Sequence, residues 1–302
     1  MEKFIISCCS AADLSKEHFE ERNICYMSFK FILDNDIYSD DLGESIAIDE
    51  FYKKMAAGAV PQTIHPEEKD YIEHFRRYLE EGKDILHLTL SSGISEAYDA
   101  AVAAQNKLKE EFPERKIYVV DSLAASSGMG LLVDAAADRR DEGLGIDEVR
   151  DWVVDNRLSV NHWFFSTTLT YYIRGGRISK TAGTAGNIFR ICPLMIVNTE
   201  GKLMIWEAVR MKRKVIKETV KKMEKLAING IDYNGKCYIS NSGCYEDARV
   251  VANAIENCFP KLKGQIEIYN IGTTIGSHSG PGTVAVFFWG EDRGKLLLNR
   301  DI

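Results

Sequence analysis

The chain has 302 residues, of which 45% are hydrophobic and 27% are charged, and its formal net charge is −7. This size allows one large domain or two medium-sized domains, each with its own hydrophobic core. The acidic balance argues against nucleic acid as a partner, and no segment reaches the ~18 apolar residues of a membrane span or the form of a secretory signal. We therefore expect a cytoplasmic protein without stable membrane insertion.

Along the chain, apolar runs alternate with amphipathic stretches, which is typical of α/β folds with parallel strands. Strands are predicted over residues 3–7, 24–32, 84–90 and 116–120, and helices over residues 14–22, 48–57, 65–81, 95–112, 128–137 and 146–158. Asp34 to Asp36 have the composition of a turn. Gly82 is placed to end the helix that opens at His65 and Pro66.

The second half, beyond Ser159, differs from the first in composition. An aromatic strand is followed by a polar, glycine-bearing and basic segment over residues 170–190. A hairpin is predicted over residues 193–206, with its turn at Asn198–Gly201. Further strands are predicted over residues 163–168, 236–240, 266–271 and 284–289, and helices over residues 213–226 and 246–259. We place a domain boundary near residue 160, which predicts two α/β domains, 1–160 and 161–302.

The cysteines and most of the histidines are interpreted as structural. The seven cysteines are irregularly spaced and include no Cys-x-x-Cys pair, so we expect free thiols in a reducing compartment. Cys8 and Cys9 are interpreted as small buried side chains. The six histidines lack metal-ligand spacing, so no metal is expected. His18, His74 and His162 are interpreted as packed or solvated residues, His87 as part of a buried strand, and His65 as part of a helix start.

Four polar segments lie at or near predicted strand ends, where α/β proteins place ligands. They are Ser10, residues 61–66, residues 91–95 and residues 276–282. Ser95 can either cap the helix that follows it or donate a hydrogen bond to an anion at the start of that helix. His278 lies among three glycines and a proline, which predicts a tight turn that holds its imidazole against a ligand.

An enzymatic interpretation is also open from the residues alone. Ser95 and His278 could be the nucleophile and base of a serine hydrolase acting on an acyl ester, with Asp121 orienting the histidine. However, the sequence has no Gly-x-Ser-x-Gly elbow, and Glu96 is an unfavourable neighbour for an oxyanion. A phosphate-binding domain is a further alternative, but no Gly-x-x-x-x-Gly-Lys-Ser/Thr motif is present. A binding protein without catalytic residues is therefore favoured.

A set of short motifs, in a fixed order, resembles the DegV family of bacterial fatty-acid-binding proteins. The motifs are Ser-Ser-Gly-Ile-Ser at residues 91–95, Val-Asp-Ser at 120–122 with Ser-Ser-Gly-Met-Gly at 126–130, Arg-Gly-Gly-Arg-Ile-Ser-Lys at 174–180, and His-Ser-Gly-Pro-Gly at 278–282. The segment from Ser10 to Leu14 is similar to the family's first motif. The resemblance extends over nearly the whole chain.

This resemblance implies two α/β domains with a long-chain fatty acid in a tunnel between them. It also implies that Thr63, Ser95 and His278 hold the carboxylate, with no metal and no cofactor besides the fatty acid itself. Members of the family present the acyl group to a separate fatty acid kinase, which phosphorylates it for phospholipid synthesis, and Arg210 matches an arginine that contacts the kinase. The sequence leaves the length and saturation of the acid open.

A fatty acid fits this set of residues physically. Burying about 14 methylene groups gains on the order of 10 kcal/mol before association costs, so an apolar tunnel supplies most of the binding energy. The carboxylate cannot be buried without partners. The hydroxyl groups of Thr63 and Ser95 and the ring of His278 would replace its water.

Overall fold

The computed structural model describes residues 4–179 and 192–298. The strands are β1 Phe4–Cys9, β2 Ile24–Met27, β3 Phe29–Leu33, β4 Asp36–Asp40, β5 Gln62–Ile64, β6 Asp84–Thr89, β7 Ile117–Asp121, β8 Val160–Ser166, β9 Cys192–Val197, β10 Leu203–Val209, β11 Cys237–Asn241, β12 Glu267–Asn270 and β13 Thr283–Trp289. The α-helices are α1 Lys16–Glu21, α2 Ile48–Ala56, α3 Glu68–Glu80, α4 Ala97–Glu111, α5 Ser126–Asp141, α6 Ile146–Asn156, α7 Thr170–Arg174, α8 Lys212–Leu226, α9 Tyr245–Cys258, α10 Thr273–Ser279 and α11 Arg293–Leu298.

The first sheet is parallel throughout and has the strand order β2-β1-β6-β7. Strand β1, one of its two central strands, is buried along its full length, as expected for a parallel strand covered on both faces. Cys8 and Cys9 are part of this strand and are fully buried, which confirms that they are packed side chains. Burial raises the pKa of Cys9 to about 12, so the thiol stays protonated at neutral pH.

A small three-stranded sheet, β4-β3-β5, corrects the prediction for the first half. The single strand predicted over residues 24–32 is in fact two strands, because the chain leaves the first sheet at Ser28 and β3 joins a different one. Strand β5 was not predicted, since three residues are too few to give a recognisable period. It pairs antiparallel with β3 and puts Thr63 opposite Phe31.

The third sheet contains every strand that the structure describes beyond residue 159, in the order β10-β9-β8-β13-β11-β12. Only β11 and β12 are parallel in it, so the expectation of parallel strands is wrong here. The other four pairs of neighbouring strands in this sheet are antiparallel: β10 with β9, β9 with β8, β8 with β13, and β13 with β11. Along β8, Trp163 and Phe165 belong to a core on the outer face of the sheet, whereas Phe164 belongs to the core shared with the first half.

Helix α5 lies between the first and third sheets, in contact with β1 on one side and with β8, β11 and β13 on the other. All residues from Ser126 to Ala137 are buried, and their small average size lets the two sheets approach each other closely. Helix α10 also bridges the halves, because it follows β12 but contacts β3, β5 and α2. The α/β fold is as predicted, whereas the domain limits 1–160 and 161–302 remain a prediction. No helix among residues 4–179 and 192–298 has the length and apolarity needed to cross a bilayer.

Candidate functional site

A cavity of about 840 Å³, which includes space open to solvent, lies between the third sheet, α5 and the small sheet. Its apolar walls are formed by Phe29, Ile64, Leu90, Ile94, Ala125, Phe164, Tyr172, Val197, Leu203, Ile271, Ile275, Ala285 and Phe287. Several of its residues, among them His65, Ser95 and Arg177, also line a more polar cleft at the surface. These shared residues mark the mouth of the cavity.

The structure brings Thr63, Ser95 and His278 to the lining of this one cavity. Thr63 Oγ1 lies 3.0 Å from Nε2 of His278, although the two residues are 215 positions apart in sequence. Strand β5 supplies Thr63, α10 supplies His278, and the loop before α4 supplies Ser95. The predicted site residues therefore come from three separate elements of both halves.

The surroundings of His278 differ from the predicted tight turn, because the residue lies in the last turn of α10. Two glycines, Gly280 and Gly175, lie at this end of the helix. Gly280 has a φ of 68° and ends the helix. Gly175, from the end of α7, approaches so closely that a Cβ atom there would lie 2.3 Å from Nδ1 of His278. A side chain at Gly175 would displace the imidazole.

The imidazole of His278 is neutral at neutral pH. Burial lowers its pKa to about 4, and the charges of Arg177 and His65 act in the same direction. Its Nδ1 atom is buried and has no hydrogen-bond partner within residues 4–179 and 192–298. The ring therefore has Nε2 engaged by Thr63, while Nδ1 is enclosed beside Gly175.

Ser95 makes a capping contact, and its predicted role as a donor to an anion stays a prediction. Its Oγ accepts a hydrogen bond of 3.2 Å from the amide of Ala97, the first residue of α4, although Glu96 occupies the formal cap position. Because the oxygen accepts in this contact, the hydroxyl hydrogen remains available for a ligand. The loop before it is held against the second half by Ser91, whose Oγ donates to the carbonyl oxygen of Gly201 at 2.9 Å.

Arg177 is a cation at the mouth to which the sequence analysis assigned no role. Its Nε donates to the carbonyl oxygen of Ile94 at 3.1 Å and its Nη1 to that of Gly175 at 2.5 Å. It forms no ion pair with a carboxylate within the described ranges, and burial lowers its pKa. The signal was present in the Gly-Gly-Arg motif, which was used for the resemblance alone. Lys180, the last residue of that motif, lies outside the described residues.

The geometry does not assemble a hydrolase triad from the residues considered for one. Asp121 accepts hydrogen bonds from Ser92 Oγ at 2.5 Å and from the amide of Leu123 at 3.0 Å, and it has none with His278. The partner of His278 is Thr63 instead of Ser95. No group of three or more His, Cys, Asp and Glu side chains in the described part of the chain is arranged to hold a metal ion.

Arg210 lies at the surface, between the end of β10 and the start of α8. It is exposed and follows the hairpin, as the resemblance implies. The neighbouring helix α8 carries further exposed cations at Arg213, Lys214 and Lys217. This part of the surface is therefore locally basic on a chain whose net charge is negative.

Comparison with known proteins gives similar relatives over almost the full length. A DegV domain-containing protein of Clostridium perfringens is 36% identical over 293 residues, which cover 97% of this chain and 99% of the relative. A Thermus thermophilus structure described as fatty acid binding of a DegV family protein is 25% identical, with a TM-score of 0.83 over 96% of this chain and 100% of that one.

A third similarity concerns the fold. The Fak B3 protein of the fatty acid kinase of Streptococcus pneumoniae, solved with linoleic acid, has a TM-score of 0.80 at 21% identity, over 96% of this chain and 100% of that chain. The family model described as "uncharacterised protein, DegV family" matches residues 3–291. The chain therefore belongs to the DegV family.

Proposed function

We propose that this protein binds one long-chain fatty acid, with the acyl chain in the cavity and the carboxylate at Thr63, Ser95 and His278. The observation that carries the proposal is the arrangement of the cavity, since its walls are apolar and hydroxyl and imidazole groups meet at its mouth. The similar Thermus thermophilus protein is described as fatty-acid-binding, which supports the same ligand class.

The proposed carboxylate contacts rest on the positions of the polar groups at the mouth of the cavity. The Ser95 hydroxyl and the Thr63–His278 pair offer hydrogen-bond donors, while the Arg177 guanidinium supplies positive charge at the mouth. Hydrogen bonds to a charged acceptor are stronger than those to a neutral one. In the tautomer that carries its hydrogen on Nε2, the neutral imidazole donates to Oγ1 of Thr63, and the hydroxyl hydrogen of Thr63 is then free for the carboxylate.

The binding proposal is tested by denaturing mass spectrometry of the purified protein and by titration of delipidated protein with palmitate and oleate. We expect Ser95→Ala and His278→Ala to weaken binding roughly tenfold to a hundredfold each, since each removes a hydrogen bond to a charged group. Ser92→Ala is the matched control, because Ser92 lies in the same loop but bonds to Asp121. Protein that is empty and takes up neither acid would contradict the proposal.

We further propose that the bound acid is presented, in the cytoplasm, to a fatty acid kinase for acyl-phosphate formation in phospholipid synthesis. The fold similarity to Fak B3 and the exposed, locally basic surface at Arg210 support this step. With a cognate kinase, Arg210→Ala should lower the rate of acyl phosphorylation while palmitate affinity stays unchanged. Lys225→Ala, at the other end of α8, is the control. Equal rates for Arg210→Ala and wild type would remove Arg210 from the proposed interface.

The same proposal assigns no covalent step to this chain. Ser95 lacks a histidine partner and Asp121 is engaged by other groups, so an activated nucleophile is not assembled in the cavity. Incubation with a p-nitrophenyl acyl ester tests this assignment. Sustained turnover that disappears in both Ser95→Ala and His278→Ala would favour a hydrolase instead.

A further inference from the structure

Arg293, at the start of α11, is a buried cation to which neither the sequence analysis nor the proposed function assigns a role. It is 1% exposed. Burial lowers its pKa to about 10, so the guanidinium remains charged at neutral pH. All four hydrogen bonds that it makes within residues 4–179 and 192–298 have main-chain carbonyl oxygens as acceptors. A buried charge is unfavourable unless such contacts offset its desolvation, so the positions of these carbonyls show what the side chain stabilises.

The four carbonyl groups belong to three segments that are far apart in sequence. Nη1 donates to Val197 at 3.1 Å and to Asn198 at 2.9 Å, where β9 enters the hairpin turn. Nη2 donates to Leu123 at 2.9 Å, in the loop that connects β7 with α5, and to Arg157 at 3.3 Å, just after α6. Leu123 has a φ of 49°, a conformation that a leucine keeps only where its surroundings support it. Arg293 thus connects the hairpin turn of the second half directly to the β7–α5 loop of the first half.

The same two segments support the loop of residues 91–95, here called the Ser95 loop. On one side, the amide of Ser91 donates to the carbonyl oxygen of Ala124 in the β7–α5 loop at 3.1 Å. On the other side, Oγ of Ser91 donates to the carbonyl oxygen of Gly201 in the hairpin turn at 2.9 Å. The amide of Ser95 in turn donates to the carbonyl oxygen of Ser91 at 3.1 Å. The position of Ser95 therefore depends on Ser91, and that of Ser91 on the two segments that Arg293 connects.

The hairpin turn and the Ser95 loop fit too closely to shift independently. Gly201 has a φ of 70°, and a Cβ atom there would overlap Oγ of Ser91. A Cβ atom at Gly93, inside the Ser95 loop, would overlap the carbonyl oxygen of Glu200. Because backbone lies against backbone at these points, a displaced hairpin turn would displace the Ser95 loop with it.

We propose that Arg293 is a positioning residue for Ser95: it holds the hairpin turn against the β7–α5 loop, and this arrangement directs the Ser95 hydroxyl to the carboxylate of the fatty acid. The inference rests on the proposed function, since the carboxylate is the ligand group that Ser95 contacts there. It concerns Ser95 alone. Among the described residues, β5 and α10, which supply Thr63 and His278, accept none of the hydrogen bonds from Arg293.

The experiment is a double-mutant cycle on the dissociation constant of palmitate, measured with delipidated full-length protein at a temperature at which each variant is folded. Arg293→Met removes the donors but keeps an unbranched side chain. We expect it to weaken binding roughly threefold to tenfold when Ser95 is present, because the hydroxyl loses its alignment with the carboxylate, and less than about twofold in the Ser95→Ala background. In the His278→Ala background the full loss should persist. A residue that only stabilises the fold would change all three affinities by the same factor.

Two further variants of α11 complete the experiment. Lys295→Met is the matched control, because it removes a positive charge from an exposed position of the same helix, and it should bind palmitate as tightly as wild type. Arg293→Lys keeps the cation with a single donor nitrogen and should therefore restore part of the loss. If neither Arg293 variant folds, Ser91→Ala decides, because it removes the hydrogen bond between the Ser95 loop and the hairpin turn. We expect Ser91→Ala to weaken palmitate binding only while Ser95 is present.

The outcomes separate this inference from the proposed function. An equal loss of affinity from Arg293→Met with and without Ser95 would overturn the positioning role, as would an unchanged affinity or a loss matched by Lys295→Met. Should the decision fall to Ser91→Ala, an effect that is independent of Ser95 would overturn the role as well. Failure of wild-type protein to take up palmitate would instead overturn the proposed function, and the role of Arg293 with it.

Discussion

Two polar clusters lie at the junction between the halves, and they differ in how completely their hydrogen bonds are satisfied. The first, here called the Asp134 cluster, consists of His18, Arg22, Asp134, Asp138, Lys236 and Tyr238. The second is the mouth of the cavity around His278. Both combine residues from before and after residue 160. In the first, the central carboxylate of Asp134 has several hydrogen-bond donors, whereas the second has several polar atoms without partners.

In the Asp134 cluster, one buried carboxylate joins both halves. Asp134 is 1% exposed and accepts hydrogen bonds from Arg22 Nε at 2.8 Å, Lys236 Nζ at 2.5 Å and Tyr238 Oη at 2.7 Å. Burial alone would raise its pKa, but His18 and Lys236 outweigh burial and hold the pKa of Asp134 well below its usual value. The carboxylate is ionised and fully paired, as a structural ion cluster requires.

The cavity shows the opposite condition. Four of its lining residues have buried polar atoms without a partner in the described ranges, namely Nε2 of His162, Oγ1 of Thr274, Nδ1 of His278 and Oγ of Ser279. Native proteins satisfy most buried polar groups, so a group of exceptions in one cavity indicates a site that a ligand completes. The Asp134 carboxylate, with all its donors, lies where the two halves meet, and the unpaired polar atoms lie in the cavity that we propose to bind the fatty acid.

The largest expected effect is on the Asp134 cluster. Asp134→Asn removes the charge while keeping the shape, and leaves Arg22 and Lys236 without their buried counter-charge. We expect the free energy of unfolding to fall by about 3–5 kcal/mol, the range for breaking a buried ion pair. Chemical denaturation followed by circular dichroism measures this change.

Asp141→Asn is the matched control for that measurement. Asp141 also pairs with Arg22, at 3.1 Å, but its side chain is 41% exposed. Its removal should cost less than about 1 kcal/mol, because exposed ion pairs contribute little. If the two substitutions had equal effects, the Asp134 cluster would not hold the halves together and the contrast with the cavity would disappear.

A smaller effect follows from the titration of His18. Burial lowers the pKa of His18, but Asp134, at 3.2 Å from its Nε2, and Glu267 outweigh burial and raise it to about 9. A pKa raised above the unfolded value means that the stabilisation is complete below about pH 6.5 and is lost as the pH rises towards 9. We expect a loss of about 2 kcal/mol over this window, reduced from the full shift for partial solvation.

The His18 effect is measured by repeating the denaturation at several pH values between 6 and 9.5. His18→Gln should flatten the curve in this window, since glutamine does not titrate there. The difference between the two curves cancels the contributions of all other groups, including the free cysteines. Parallel curves for wild type and His18→Gln would show that His18 is not charged in the native state.

Much of the fold could be predicted because its signals are local. Helix α3 was recognised from Pro66 and the acidic residues that follow it, and from Gly82, which has a φ of 75° as a helix terminator requires. The hairpin turn at Asn198–Gly201 was recognised in the same way. Site residues Thr63, Ser95 and His278 were found through motifs, and the structure brings them to one cavity, while their roles remain proposals.

The parts that could not be predicted depend on long-range contacts. Strand β2 ends at Met27, and the chain passes through Ser28 directly into β3 of another sheet. No Gly or Pro stands at this point, so the sequence carries no local signal for the change of sheet. Asp134 lies in a helix of small residues, and its partner Lys236 is 102 positions away, so no local pattern announces the pair. The unpaired Nε2 of His162 is likewise invisible in sequence, since its state depends on which groups fail to reach it.

The smallest effect is expected at the mouth of the cavity, where His278→Leu should change the free energy of unfolding of delipidated protein by less than about 1 kcal/mol. The imidazole makes one hydrogen bond, to Thr63, and leaves Nδ1 unpaired, so the apo protein loses little when an apolar side chain of similar size replaces it. Tyr238→Phe also removes one hydrogen bond, but from the ionised Asp134, and should therefore destabilise more. A destabilisation by His278→Leu as large as that of Tyr238→Phe would mean that His278 supports the fold of the empty protein. The proposed difference between the Asp134 cluster and the mouth of the cavity would then be wrong.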